Sequence, residues 1–68
     1  MKREINIKFG QSVAKIRNSQ HLSQEELADK CGLHRTYIGI IERGEKSPTL
    51  ETMNKIAIGL GVSLKDLL

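Results

Sequence analysis

The sequence predicts an all-α fold, a compact bundle of five short helices. Apolar residues recur with the helical period of 3.6 residues in several segments of the chain. Helix-starting residues precede most of these segments, and glycines follow several of them. No segment shows the alternation of apolar and polar residues that is typical of a strand. The 68 residues suffice for one modest core, so we expect a single domain over residues 1–68.

The first helix is predicted at about residues 6–19 by a stripe of large apolar side chains. Their spacing of i, i+4, i+8 and i+11 places them on one face of a helix. The members of the stripe are Ile5, Phe9, Val13 and Ile16. Weak helix formers at positions 18–21 predict a link to the next helix.

A second helix and a sharp turn are predicted next. Ser23 and Glu26 form a capping box, which indicates a helix that begins at Gln24 and runs to about residue 31. Gly32 follows this helix, and glycine fits a sharp turn because it adopts a positive φ without steric cost.

A third helix is predicted at about residues 34–43, with Ile38 and Ile41 on its inner face. Two short helices joined by a glycine-containing turn are typical of the helix-turn-helix motif, which we place at about residues 24–43. The opposite arc of the third helix is formed by Arg35, Thr36, Gly39, Ile40 and Arg43. Guanidinium, hydroxyl and aliphatic groups of this kind read base edges in the major groove of DNA.

Two further helices are predicted after a loop that ends at Pro48. Thr49 is a suitable N-cap, and an apolar stripe of helical period follows it before Gly61. That stripe consists of Leu50, Met53, Ile56, Ala57 and Leu60. The last short helix, capped by Ser63, contains Leu64, Leu67 and Leu68.

The charge balance suits a polyanionic partner without proving one. The net charge is +3 and the sequence pI is about 9.3. Between Lys2 and Arg17, five basic residues stand against Glu4 alone. A single cysteine excludes an intramolecular disulfide and is compatible with a reducing compartment. No apolar run is long enough for a signal peptide or a membrane span, so we expect a cytoplasmic protein.

No residue pattern predicts catalysis, a cofactor or a metal. The chain has no phosphate-binding loop and no paired acids of the kind that an enzyme would need. Cys31 occupies an apolar position and is interpreted as a buried hydrophobe rather than a nucleophile. His21 and His34 do not make a metal site with one cysteine. The two aromatics, Phe9 and Tyr37, are too few for a platform that stacks single-stranded bases.

Four segments resemble the helix-turn-helix family of phage repressors and Cro proteins: SQEELA, CGLHRTYI, IERGE and SPTLETMNKIA–GLGVSLKDLL. The resemblance covers Phe9 to Leu68, and HRTYI followed by IERGE is most similar to the controller proteins of restriction–modification systems. It implies a lambda-repressor-like fold and a homodimer on a near-palindromic operator in double-stranded DNA. The third helix would lie in the major groove and the second across the backbone. RNA polymerase would be a further partner in an activating role. His34 departs from the pattern, because many members have a small hydroxyl residue there.

We expect two sets of DNA contacts, each of which competes with the simpler interpretation of a solvated surface. The predicted base contacts are Arg35, Thr36, Gly39 and Ile40. The predicted phosphate contacts are Gln24, His34, Tyr37, Arg43, Lys46 and Ser47. Arg17 and Glu42 resemble a paired Arg and Glu that link the first and third helices in this family; the alternative is two separate surface charges.

Leftover apolar residues predict the dimer interface. Ile58 cannot share the inward stripe of the fourth helix, and the chain ends with further leucines. The predicted interface residues are Ile58, Leu64, Leu67 and Leu68. Incidental exposure of single apolar residues is the alternative.

The sequence therefore favours a sequence-specific transcriptional regulator, with the controller of a restriction–modification system as the preferred subclass. An antitoxin or a small prophage repressor is the alternative within the same class. A protein-interaction module that keeps only the helix-turn-helix shape is the alternative from another class. The outer arc of the third helix contains no acidic residue, which argues against that module.

Overall fold

The computed structural model describes residues 3–68, and all of its regular structure in that range is helical. Four α-helices are followed by one short 3₁₀ helix. Their bounds are α1 Glu4–Ser19, α2 Gln24–Cys31, α3 Arg35–Glu42, α4 Leu50–Leu60 and the 3₁₀ helix Leu64–Leu67. The all-α prediction is confirmed, but the fifth helix is a single 3₁₀ turn. Its backbone bonds join residues three apart, as from Asp66 N–H to the Ser63 carbonyl at 3.0 Å.

The first turn of α1 differs from the prediction. The helix begins at Glu4 instead of about residue 6, and Ile5 is 71% exposed although it belongs to the same apolar stripe as the buried Phe9. Ile5 instead lines an open groove with Phe9, Leu67 and Leu68. Periodicity identifies the face on which a residue lies, whereas burial also requires a neighbouring element at that height.

Capping interactions define both ends of α2. The Ser23 hydroxyl accepts a hydrogen bond from Glu26 N–H at 3.0 Å, and the Glu26 carboxylate accepts one from Ser23 N–H at 2.8 Å. These bonds to Ser23 lower the pKa of Glu26. Gly32 ends the helix with φ of 70° and directs the chain into α3.

An imidazole caps α3 in place of the usual hydroxyl. His34 Nδ1 accepts a hydrogen bond from Thr36 N–H at 3.1 Å. His34 and Arg43 are thus the caps of the helix, which spans Arg35–Glu42 instead of the predicted 34–43.

The core lies where α1, α2, α3 and α4 meet. Its buried residues are Phe9, Val13, Leu27, Ala28, Cys31, Ile38, Ile41, Ile56, Ala57, Leu60 and Leu67. Burial raises the pKa of the Cys31 thiol, so this residue is a small hydrophobe and not a thiolate. The helices approach closely at Gly10, where an added Cβ would clash with the Ile41 carbonyl oxygen. This contact brings the backbones of α1 and α3 together.

Two leucines do not lie where the sequence placed them. Leu50, predicted to face the core, is 66% exposed because it is the first residue of α4, beyond the layer that the other helices cover. Leu67, predicted at the dimer interface, is only 1% exposed. The 3₁₀ turn folds its side chain into the core of the same chain, so it is not available to a partner.

Within residues 3–68, no helix combines the length and the hydropathy that crossing a membrane would require.

Candidate functional site

The outer face of α3 exposes polar side chains opposite the buried Ile38 and Ile41. Arg35 and Thr36, at the N-terminal end of the helix, are both exposed. Ile40 is partly exposed one turn further on. A guanidinium, a hydroxyl and an aliphatic group are therefore aligned along one open face of a short helix.

Arg35 is held by an acid from the neighbouring helix. Its Nη1 donates a hydrogen bond to Glu25 Oε2 at 2.9 Å, and both side chains are more than half exposed. Among the described residues, Glu25 is the hydrogen-bond partner of this guanidinium. The pair joins the second residue of α2 to the first residue of α3.

Gly39, Gln24 and Arg43 form a compact polar group in the middle of the site. A Cβ added at Gly39 would lie 3.1 Å from Arg43 Nη1 and 3.4 Å from Gln24 Oε1. These two side chains cover Gly39, which is buried, so this predicted base contact is not open before a ligand binds. Arg43 also donates two hydrogen bonds to Glu45, at 3.0 and 3.1 Å, and this carboxylate raises the pKa of Arg43.

A largely buried ion pair fixes α3 against α1. Arg17 Nε and Nη2 donate to the two Glu42 carboxylate oxygens at 2.7 and 3.0 Å, and the Arg17 and Glu42 side chains are 13% and 6% exposed. Hydrogen bonding to Glu42 raises the pKa of Arg17. Arg17 Nη1 donates to the Leu22 carbonyl at 2.7 Å, and Gln24 Nε2 donates to Glu42 Oε1 at 2.9 Å. One carboxylate thus positions both the third helix and the amide at the start of α2.

The remaining predicted phosphate contacts surround this face. His34 and Lys46 are exposed, whereas Tyr37 is half-buried and packs against the core. The Ser47 hydroxyl accepts a hydrogen bond from Asn6 Nδ2 at 2.7 Å, which ties the loop after α3 to α1. The hydroxyl proton of Ser47 remains available as a donor.

The prediction that no acid blocks the site was incomplete. The helix face itself contains none, but Glu25 from α2 and Glu45 from the following loop both reach it. Glu25 lies ten residues before Arg35 in the sequence. No helical spacing links two residues so far apart, and only the packing of α2 on α3 brings them together. Glu45 lies only two residues after Arg43, so its proximity in the sequence was a signal for this pair.

The predicted interface residues lie at different depths. Ile58 and Leu68 are 69% and 76% exposed, whereas Leu64 is half-buried against the core. With Leu67 buried, the accessible apolar atoms belong to Ile58 and to the groove that Ile5 and Leu68 line.

Comparison with known proteins identifies relatives over almost the whole chain. Residues 13–67 match the family model described as "Helix-turn-helix". Control protein C.BamHI of Bacillus amyloliquefaciens is 51% identical, over 100% of this chain and 85% of the relative. Control protein C.SmaI of Serratia marcescens is 48% identical, over 88% of this chain and 71% of the relative. The crystal structure of the restriction-modification controller protein C.AhdI from Aeromonas hydrophila is similar with a TM-score of 0.94 and 36% identity, over 97% of this chain and 100% of that chain.

Proposed function

This chain belongs to the helix-turn-helix family, and from that premise we propose that it is a transcriptional regulator that binds a specific sequence in double-stranded DNA. The observation that supports this function best is the exposed Arg35 and Thr36 face of α3 on a helix whose other side is buried in the core. A helix that is fixed on one side and displays hydrogen-bonding groups on the other can enter a major groove without unfolding.

The proposed base contacts come from the exposed face of α3. Arg35 donates to guanine O6 and N7, Thr36 offers its hydroxyl and methyl group, and Ile40 offers an apolar contact to a thymine methyl. Gly39 becomes a contact when Arg43 turns away from it toward a phosphate. Because Glu42 fixes the angle of α3, these groups enter the groove as one rigid set.

The proposed backbone contacts flank that face on two sides. Gln24 and His34 lie at the N-terminal ends of α2 and α3, where backbone N–H groups favour an anion. Tyr37 supplies a hydroxyl from the flank of α3. Arg43, Lys46 and Ser47 would hold the other strand's backbone beyond the end of α3.

The functional unit is proposed to be a homodimer. Ile58 and Leu68 expose apolar surface that one chain cannot bury, and a two-fold axis would cover the same patch on both copies. Leu64 adds a partly buried rim to this interface. Two copies would set their recognition helices about 34 Å apart, one turn of duplex, which suits a palindromic operator.

The specific role proposed is that of a controller in a restriction–modification system, timing the genes for restriction and methylation. The names of the control proteins to which the chain is similar support this role. Contact with RNA polymerase is part of the proposal only where the operator position makes the protein an activator. An antitoxin or a prophage repressor would use the same site on other genes.

Selection of bound sequences from a random duplex pool tests the function directly. We expect the purified chain to enrich an inverted repeat whose half-sites lie about one helical turn apart. Arg35→Ala, run in parallel, should enrich a motif that has lost preference at one base pair of each half-site. A chain that enriches no motif would contradict the proposal and favour the protein-interaction module.

A further inference from the structure

We propose that Glu25 is a specificity-determining residue, which positions Arg35 for a neutral base edge and against a phosphate. The inference rests on the proposed function, because it concerns how the DNA-reading arginine chooses its target. It comes from the ion pair between α2 and α3 that sequence spacing did not reveal.

The hydrogen bond uses only one side of the guanidinium. Glu25 Oε2 accepts from Arg35 Nη1 at 2.9 Å, and Nε and Nη2 remain as a second pair of donors. Two parallel donors of this kind match O6 and N7 of guanine. Arg35 can therefore bind Glu25 with one nitrogen and a guanine with the other two at the same time.

The charge of Glu25 makes that choice selective. A phosphate that approached the free edge of Arg35 would also approach the Glu25 carboxylate, which has the same sign of charge. A guanine edge has no net charge, so the Glu25 carboxylate does not repel it in this way. The Glu25–Arg35 pair is exposed and weak in the free protein. Exclusion of water from a protein–DNA contact strengthens both the attraction of the Glu25 carboxylate to Arg35 and its repulsion of a phosphate.

The position of the pair supports this role. Glu25 is the second residue of α2, next to Gln24, which is proposed to hold a phosphate. The carboxylate therefore directly follows a proposed phosphate contact in the chain and bonds to the proposed base-reading residue. It keeps the guanidinium of Arg35 from joining the phosphate contacts of its neighbours.

The test compares Glu25→Gln with a matched change of charge. Asp29 lies one turn after Glu25 on the same face of α2 and lines the same shallow concavity beside His34 and Arg35. Among the described residues, Asp29 forms no hydrogen bond to Arg35. Asp29→Asn therefore removes an equal charge without removing a contact to that guanidinium. Both variants change exposed side chains, so each should remain folded, and circular dichroism checks this.

Affinities are measured for the selected operator, for operators changed at each base pair, and for an unrelated duplex, at two salt concentrations. Glu25→Gln should bind the unrelated duplex more tightly. It should lose about two- to fivefold of discrimination at the base pair that Arg35→Ala relaxes, the range expected for an exposed pair. Discrimination at the other base pairs should stay unchanged. Asp29→Asn should retain the discrimination of the parent at every position, and Glu25→Gln should add no loss in the Arg35→Ala background.

Three results would overturn the inference while leaving the proposed function intact. One is a Glu25→Gln variant that discriminates between base pairs as well as the parent, where the parent selects its operator. Another is an equal loss in Asp29→Asn, which would indicate a general field effect. The third is a loss of discrimination from Glu25→Gln that also occurs in the Arg35→Ala background. A parent protein that selects no sequence would overturn the proposed function as well.

Discussion

At the scale of single residues, substitutions of Arg35 and Lys46 would separate the proposed base reading from the proposed phosphate binding. Arg35→Ala removes a proposed base contact and should cost about 1–3 kcal/mol of operator binding, with relaxed preference at one base pair per half-site. Lys46→Ala removes a point charge and should weaken all duplexes alike, reducing the salt slope by about one. Fluorescence anisotropy with operator and unrelated duplexes over a series of salt concentrations measures both effects. An Arg35→Ala variant with the affinity and selectivity of the parent would show that α3 does not read bases through this residue.

Arg17 and Glu42 make a second prediction at this scale, about stability. Because both side chains are largely buried, Arg17→Met leaves a carboxylate without its main partner and should cost about 3 kcal/mol of unfolding free energy. Adding Glu42→Gln should cost less than the sum of the single changes, because the uncompensated charge is then gone. Urea midpoints measure the cycle, and Lys15→Met, an exposed change on the same helix, is the control. Additive losses would mean that the two side chains do not stabilise each other.

At the scale of elements, the sequence predicted well wherever the signal was local. The bounds of α2 and the glycine turn after it were correct, because a capping box and a positive φ act over a few residues. Leu50 and Leu67 were placed wrongly, because their burial depends on where neighbouring elements end. The 3₁₀ turn is likewise too short for periodicity to distinguish it from an α-helix.

The capping box of α2 predicts a pH dependence. Hydrogen bonds from Ser23 lower the pKa of Glu26 in the folded protein. The unfolded chain therefore binds this proton more readily, and the cap stabilises the fold fully above the ordinary glutamate pKa of about 4.3. That stability is lost as the pH falls through the lowered folded value. Glu26→Gln should be less stable than the parent at pH 7, and the difference should shrink toward pH 3.

Urea midpoints of parent and variant across that pH range measure the effect. Glu4→Gln removes the same charge from the first turn of α1, where the N-cap side chain forms no hydrogen bond, and controls for net charge. A parent-to-variant difference that stays constant from pH 7 to pH 3 would contradict the assignment to the cap.

At the scale of the whole molecule, the dimer proposal predicts different outcomes for exposed and buried apolar residues. Ile58→Asp with Leu68→Asp should give a folded monomer, since both side chains are exposed in one chain. Operator affinity should fall steeply, because two linked half-sites bind far more tightly than one. Leu67→Asp should instead unfold the chain, because it places a charge in the core. Sedimentation velocity at micromolar concentration, with circular dichroism, distinguishes these states. A doubly substituted protein that still sediments as a dimer would exclude this interface.

The candidate site was predicted in outline but not in its electrostatics. Arg35 and Thr36 were placed on an open face by helical spacing alone, which needs no tertiary information. The acids that hold Arg35 and Arg43 were missed, although they determine which donors are free before DNA arrives. Packing of α2 on α3 creates the Glu25 contact and also covers Gly39 with the Gln24 amide, which no spacing rule describes.

The imidazole cap of α3 has a consequence for proton placement. Since His34 Nδ1 accepts from Thr36 N–H, the neutral ring must be the tautomer that has its proton on Nε2. A serine or threonine at this position would keep a rotating hydroxyl, whereas this ring has one donor with a fixed direction. If His34 contacts DNA as proposed, the phosphate oxygen that it binds must lie along that N–H vector. The imidazole cap would then restrict where a DNA strand can pass the start of α3.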